Sequence, residues 1–278
     1  AIDLFAGIGG IRLGFQEAFG KNIEFVFSSE IDKYAKQTYY ANFGEVPYGD
    51  ITKIDEKDIP PHDIILAGFP CQAFSVAGKR LGFEDTRGTL FFDVARIATY
   101  HKPKLIFLEN VKGFLNHDKG NTFKVVKQTL EDLGYKIYSK VLNAKDFGVP
   151  QNRERIYIVA FLDNVDFDFP NNLNKNVSIH DMFETKIDDK YYYNNKPLFE
   201  KIKDDVANKD SIYQWRRKYV RENKSGVCPT LTANMGTGGH NVPIIKDNKG
   251  IRKLTPKECL NFQGFPKNFK FPNLADGQ

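Results

Sequence analysis

Residues 68–75 read Gly-Phe-Pro-Cys-Gln-Ala-Phe-Ser, which sets Cys71 directly after a proline at the end of an apolar stretch, Asp63–Ala67, that reads as a strand. A thiol there can act as a nucleophile once deprotonated. The chain holds three cysteines, Cys71, Cys228 and Cys259, and no pair has the Cys-x-x-Cys spacing of a zinc or redox motif. A free cysteine is most often a small buried core residue. The context of Cys71 argues for chemistry instead: Pro70 fixes a backbone torsion, Gly68 permits close approach, and a glycine-bearing stretch, Ser75–Gly82, follows at once.

Three further groups carry chemical potential. Glu109 ends the apolar run Phe107-Leu-Glu-Asn-Val111, so it sits at the carboxyl edge of a sheet, where a carboxyl beside a low-dielectric pocket can have a raised pKa and donate a proton. A helix cap or a solvated strand end would account for it equally simply. Gln151-Asn-Arg-Glu-Arg155 puts Arg153 and Arg155 at i and i+2 where a strand begins; such guanidinium groups hold a carbonyl oxygen or a phosphate, or else a surface salt bridge. Asp3-Leu-Phe-Ala-Gly-Ile-Gly-Gly10 is a glycine-rich turn between the first strand and the first helix, where a ligand can approach the backbone. Its spacing fails the Gly-x-Gly-x-x-Gly dinucleotide fingerprint, and a tight strand–helix connection explains the turn equally well. Glu30 at the end of the second strand can accept ribose hydroxyls, and Asp50 an exocyclic amine, so the three together describe a nucleoside pocket without a phosphate signature.

The elements that must position these groups alternate over the first 165 residues. Strands are expected at Ala1–Phe5, Ile23–Phe27, Asp63–Ala67, Leu105–Leu108, Lys136–Val141 and Arg155–Phe161. Helices are expected at Ile11–Phe19, Asp32–Asn42, Leu90–Tyr100 and Thr122–Leu133. This is the pattern of a doubly wound α/β sheet. From about Val165 the texture turns to Asn, Asp, Lys and Tyr, which predicts a catalytic domain over 1–167 and a second, irregular domain over 168–278.

Composition narrows the partners. The 41% hydrophobic content suits a globular core, and no run approaches the ~18–20 apolar residues of a membrane span, so the chain reads as soluble and cytoplasmic. The net charge of +5 is uneven: Lys190–Lys253 holds 14 Lys and Arg against 6 Asp and Glu, leaving the remainder net negative. Such a run is often only a solvated face, but Arg216-Arg217-Lys218-Tyr219-Val220-Arg221 mixes basic and aromatic residues as phosphate-binding surfaces do, and points to nucleic acid. Ala1 lies inside an apolar strand with no initiator methionine, which predicts that residues precede it.

The glycine turn, Gly68-Phe-Pro-Cys-Gln72, Glu109-Asn-Val111, Gln151-x-Arg-x-Arg155 and Lys257-Glu-Cys-Leu-Asn-Phe-Gln-Gly-Phe-Pro266 together resemble, in order, the motifs of the DNA (cytosine-5)-methyltransferases of bacterial restriction–modification systems. Gly78–Phe92 is similar to that family's catalytic loop. The resemblance implies a Rossmann-like methyltransferase domain with a smaller target-recognition domain, S-adenosylmethionine as methyl donor, no metal, and base flipping of a cytosine in double-stranded DNA. It implies Cys71 as nucleophile, Glu109 on cytosine N3 and its amine, and Arg153, with Arg155 beside it, on O2 and the active-site network. Phe5, Ala6, Gly7, Ile8, Gly9, Gly10, Glu30, Ile31, Asp50, Ile51, Gly68, Pro70 and Leu90 are the implied cofactor contacts. Gln72, Ser75, Lys79 and Arg87 belong to the loop that closes on the flipped base, and Asn110 orients that loop.

Cys228–His240 resembles the recognition segment, with Thr230 and Leu231 at its Thr-Leu dipeptide and Arg216, Arg217 and Arg221 reaching phosphates or guanine edges; Cys228 and Cys259 are left to packing. A short GC-containing palindrome of the GGCC or GGNCC kind, a monomeric enzyme and a cognate restriction endonuclease acting separately are expected in consequence. The family's closing Gly-Asn-Ser/Ala-Val motif does not occur before Gln278. A tRNA cytosine-5 methyltransferase would share the chemistry, but its Cys-Phe-Thr signature is missing from the recognition segment; an inactive nucleic-acid-binding homologue is disfavoured by Cys71, Glu109 and Arg153.

Overall fold

A computed structural model describes residues 1–70, 90–232, 235 and 241–272, and among these described residues two sheets organise the chain, one in each of two units. The first unit comprises Ala1–Leu142 and Glu154–Pro170, the second Asn143–Arg153 and Asn171–Gln278. The segment 143–153, expected in the first domain from sequence, is thus a part of the second unit.

In the first unit six strands run in the order β2 (Phe27–Ser29), β1 (Ile2–Leu4), β3 (Ile64–Ala67), β4 (Leu105–Val111), β6 (Glu154–Phe161) and β5 (Lys136–Asn143). β2, β1, β3 and β4 are parallel, and β6 returns antiparallel to β4. The helices are α1 (Gly10–Phe19), α2 (Lys33–Phe43), α3 (Leu90–His101) and α4 (Asn121–Asp132), each within two residues of its expected span where the ends are compared. β1 and β3 are buried along nearly their full length because both faces are covered, and their residues are accordingly apolar almost without interruption. β4 alternates instead: Ile106, Leu108 and Asn110 are buried, while Phe107 and Glu109 take the opposite face, where Phe107 meets Phe15 of α1 at 5.1 Å between ring centroids.

The second strand lies further along the chain than the Ile23–Phe27 expected. Parallel pairing with β1 sets its register, Ile2 opposite Phe27 and Asp3 opposite Ser28, and so draws Ser28 and Ser29, residues of low strand propensity, into the sheet. Ser28 is accommodated because its hydroxyl donates to Glu45 at 3.0 Å.

The second unit is less irregular than its composition suggested. It contains a four-stranded antiparallel sheet ordered β10 (Ile251–Lys253), β9 (Pro243–Lys246), β7 (Ile212–Trp215) and β8 (Val220–Asn223), with short helices α5 (Phe199–Ile202) and α6 (Pro256–Asn261). Strands of three or four residues are too short to register as periodicity in sequence. Ile212, Cys228, Leu231, Ile245, Leu254 and Phe262 form part of one core there. Burial pushes the thiols of Cys228 and Cys259 upward, the latter to about 12, in keeping with packing roles. Among the described residues no helix is long and apolar enough to cross a membrane.

Candidate active site

The carboxyl ends of β1, β3 and β4 bring the sequence motifs of the first unit to one edge of the sheet. After β1 the chain turns sharply: Phe5 (φ 55°), Gly7 (φ 55°) and Gly9 (φ 88°) all lie in the left-handed region. For Phe5 this is a strained conformation, held in place by the hydrogen bond from the Ala6 amide to the Ser29 carbonyl at 3.0 Å. The Gly7 amide donates to Glu30 Oε2 at 2.7 Å, and the Asp32 amide to Glu30 Oε1 at 2.8 Å. Each carboxylate oxygen therefore keeps acceptor capacity for a ligand hydroxyl. Ile31 beside it is 76% exposed, an apolar side chain with no cover of its own.

The two glycines of this turn are needed for different reasons. A Cβ at Gly7 would meet nothing within 4 Å, whereas one at Gly9 would stand 2.2 Å from the Phe43 ring. Gly9→Ala should therefore lower stability by about 2–3 kcal/mol from overpacking and backbone strain combined. Gly7→Ala carries only the strain, about 1–2 kcal/mol, yet fills the open ground where a ligand would lie. Thermal unfolding together with titration of an adenosyl ligand separates the two: Gly9→Ala shifts chiefly the melting temperature, Gly7→Ala chiefly the affinity.

Of the other expected cofactor contacts, Asp50 caps a short turn by accepting from the Thr52 hydroxyl (2.7 Å) and amide (3.1 Å), which holds its carboxyl below the usual range. Ile51 is buried in the core, and Leu90 opens α3.

At β3 the chain is led out by Gly68, Phe69 and Pro70. Phe69 is anchored in the core, with ring centroids 5.8 Å from Phe91 and 5.6 Å from Phe114, and its carbonyl accepts from Asn110 Nδ2 at 2.9 Å. Asn110 is buried and its own Oδ1 accepts from the Val111 amide. Glu109, on the other face of β4, accepts from Arg155 Nε at 2.9 Å. Its Oε2 lies 3.7 Å from where a Gly68 Cβ would be, so the carboxyl rests against the backbone two residues before Pro70. Arg155 is fixed by the register that sets it opposite Val111 and by donating from Nη1 to the Glu154 carbonyl. Cys71, Gln72, Ser75, Lys79 and Arg87 lie outside the described residues.

The profile of the family described as C-5 cytosine-specific DNA methylase matches residues 1–276. The chain belongs to that family. Among curated relatives, the type II methyltransferase M.Bsp6I of Bacillus sp. (strain RFL6) is 53% identical over 98% of this chain and 89% of its own. M1.ScrFI of Lactococcus lactis subsp. cremoris is 49% identical over 100% of this chain and 72% of its own, and M.HhaI of Haemophilus parahaemolyticus is 44% identical over 97% and 84%. The Entamoeba histolytica methyltransferase EhMeth superposes with a TM-score of 0.73 at 22% identity, covering 99% of this chain and 89% of that one, which shows a common fold. The methylase fold accounts for the parallel sheet and the motif edge together.

In the second unit this family's later motifs converge on one another. The Asn152 amide donates to the Cys228 carbonyl at 2.8 Å, and the Cys228 amide to the Pro150 carbonyl at 2.7 Å. Thr230 Oγ1 donates to the Asn152 carbonyl at 2.6 Å, and buried Gln151 donates from Nε2 to the Phe262 carbonyl at 2.8 Å. Leu231 is buried in the unit's core, so Thr230 and Leu231 anchor the stretch that follows Cys228. The Arg153 amide donates to Asn143 Oδ1 at 2.9 Å. Both arginines are expected at the active site; Arg155 pairs with Glu109.

The β7–β8 hairpin carries the basic cluster at its tip. The Arg216 amide donates to the Tyr219 carbonyl at 2.9 Å, closing a two-residue loop of Arg217 and Lys218. Arg217 has φ 67°, an uncommon backbone for a residue with a Cβ, and Arg216–Tyr219 are all exposed. Arg216 also bonds Asn241 through Nη1, and Arg221 is exposed on β8.

Proposed function

We propose that this chain methylates C5 of a flipped cytosine in double-stranded DNA, with S-adenosylmethionine as donor and Cys71 as nucleophile. The observation that carries the reading is the Glu109 carboxyl, held by Arg155 at 2.9 Å and resting on the Gly68 backbone at the root of the segment bearing Cys71. The glycine turn fits an adenosyl ligand: Gly7 faces open ground, Glu30 keeps acceptor capacity, and Ile31 offers an apolar face. Phe5–Gly10, Glu30, Ile31 and Asp50 would hold it, with Ile51, Gly68, Pro70 and Leu90 shaping the walls.

When bound, S-adenosylmethionine supplies the electrophilic methyl group that C5 takes up. The chain's own residues do the rest. Cys71 adds as thiolate to C6, which makes C5 nucleophilic. Glu109 accepts from the exocyclic amine and shares a proton with N3 as charge builds in the ring, and Arg155 fixes the direction of that carboxyl. Asn110, through the Phe69 carbonyl, sets the direction in which the chain leaves for Cys71. Transfer of the C5 proton to water lets its electron pair form the C5–C6 double bond, which expels the Cys71 thiolate and restores aromaticity.

DNA as substrate, rather than tRNA, is supported by the match to the C-5 cytosine-specific DNA methylase family and by identities of 44–53% to relatives named as type II methyltransferases. The basic hairpin is assigned to the DNA backbone, alongside Gln72, Ser75, Lys79 and Arg87 of the Cys71 segment. Arg217→Gly removes a charge while relieving the left-handed backbone, so it should leave the melting temperature unchanged or higher. Duplex binding should weaken about three- to tenfold at low salt, with the slope of log K against log salt shallower by about 0.9. A slope equal to wild type would remove Arg217 from the phosphate contacts.

The deciding experiment is transfer of labelled methyl from S-adenosylmethionine to duplex DNA and, separately, to tRNA, followed by bisulfite sequencing. Labelled 5-methylcytosine at one recurring duplex sequence supports the reading and tests the GGCC or GGNCC expectation. Transfer to tRNA alone, or none, overturns it. A cognate endonuclease in the same cytoplasm, a monomeric enzyme and action at the nucleoid complete the proposal.

A further inference from the structure

Beneath the glycine turn lies a polar network that the reaction as derived does not use. Arg12, in the first turn of α1 and only 6% exposed, donates from Nη1 to Tyr39 Oη at 2.9 Å and to Glu45 Oε1 at 2.6 Å. Tyr39 Oη in turn donates to the buried Asp3 Oδ2 at 3.2 Å, and Ser28 Oγ donates to Glu45 Oε1 at 3.0 Å. The Arg12 guanidinium is also held over the rings of Phe25 and Phe43, at 4.5 Å and 4.4 Å from their centroids.

The network is an expensive way to fill a core. Arg12 Nε has no partner among the described atoms, and Asp3 is a wholly buried acid, with its carboxyl pushed up by burial to about 8. Apolar side chains of like volume would usually stabilise such a site as well or better. What apolar packing lacks is direction, and this network ends at two informative places. Asp3 lies in β1 two residues before Phe5, and Ser28 lies in β2 two residues before Glu30. Beside them stands a turn that holds Phe5 in the left-handed region, a conformation it does not prefer, between glycines that fix no conformation of their own.

We infer that Arg12 and Tyr39 are positioning residues for the methyl donor: their bonds to Asp3 and Glu45 lock the Phe5–Gly10 turn and the Glu30 strand into one fixed relation. Phe43 joins the two parts, since the same ring that carries the Arg12 guanidinium abuts Gly9. Neither residue touches the reacting atoms, so loosening them should weaken cofactor binding and spare the chemical step. The inference rests on the proposed use of this turn and Glu30 for S-adenosylmethionine.

Tyr39→Phe removes both hydroxyl bonds and keeps the ring; Glu45→Gln weakens the network from its more exposed end. With the full chain, S-adenosylhomocysteine is titrated by calorimetry and initial rates are taken at saturating DNA. Each variant should bind S-adenosylhomocysteine about tenfold more weakly and show a parallel rise in KM for S-adenosylmethionine, with kcat within about threefold of wild type. A lowered melting temperature with S-adenosylhomocysteine affinity within twofold of wild type would make the network core packing and overturn the inference. Failure of the wild-type chain itself to bind S-adenosylhomocysteine would overturn the cofactor reading and this inference together, so the two failures are told apart by the wild-type titration.

Discussion

Cys71→Ser is expected to lower methyl transfer by about 10⁴-fold or more, because the covalent route has no substitute once the thiolate is gone. A serine hydroxyl is of similar size but stays protonated at neutral pH, so folding and cofactor affinity should be unchanged. Glu109→Gln should cost about 10²–10³-fold in kcat, since the amide cannot match a carboxyl that hydrogen-bonds N3 and the amine as charge develops. It also replaces an ionic partner of Arg155, now 2.9 Å from Glu109, with a neutral one. Single-turnover rates of the two variants at saturating S-adenosylmethionine check both. A Cys71→Ser enzyme with more than a hundredth of wild-type rate would remove Cys71 as nucleophile, and a Glu109→Gln rate within threefold would remove Glu109 from the chemistry.

Glu258→Ala is expected to destabilise the second unit by about 3–5 kcal/mol, the usual result of breaking a buried, fully bonded ion pair. Glu258 is completely buried and its carboxylate accepts from Arg252 Nη1 and Nη2, both at 2.8 Å, from the Thr255 amide at 2.9 Å and from the Glu184 amide at 3.0 Å. Removing it strands the Thr255 and Glu184 amides and leaves Arg252, 1% exposed, with Asp247 as its remaining carboxylate partner in this cluster. It also undoes the capping box in which Thr255 and Glu258 bond each other's backbone at the start of α6. The melting temperature of the full chain should fall by roughly 10 °C. The double variant Arg252→Met, Glu258→Leu should recover much of that loss, because it buries no unpaired charge. A fall of less than 2 °C for Glu258→Ala would mean that the Glu258 carboxylate is replaceable by water, contrary to its burial.

Those two predictions mark different depths of legibility. Cys71 and Glu109 stand out in sequence because each interrupts an apolar run at the end of a strand with a residue that can do chemistry. Glu258 sits inside a recognisable motif, yet nothing in Lys257-Glu-Cys-Leu-Asn reveals that its partner is Arg252, or that the pair is buried. The Arg12 network was equally hidden. Arg12 follows the glycine turn in plain view, but its partners Tyr39 and Glu45 come from α2 and the chain after it, and Asp3, which Tyr39 bonds at 3.2 Å, comes from β1; only folding brings them together.

By itself the sequence determined the alternation of strands and helices in the first unit, the edge of the sheet at which the motifs gather, and the residue types able to carry the reaction. These follow from local periodicity and chain order, which short-range sterics and the burial of apolar faces dictate. Tertiary structure alone decided the rest. It set the register that moved β2 onto Ser28 and Ser29, and it assigned Asn143–Arg153 to the second unit. It joined Arg155 to Glu109 and gave the four short strands of the second unit a sheet. Each of these depends on contacts between residues far apart in the chain, where the free energy of pairing and burial outweighs local preference.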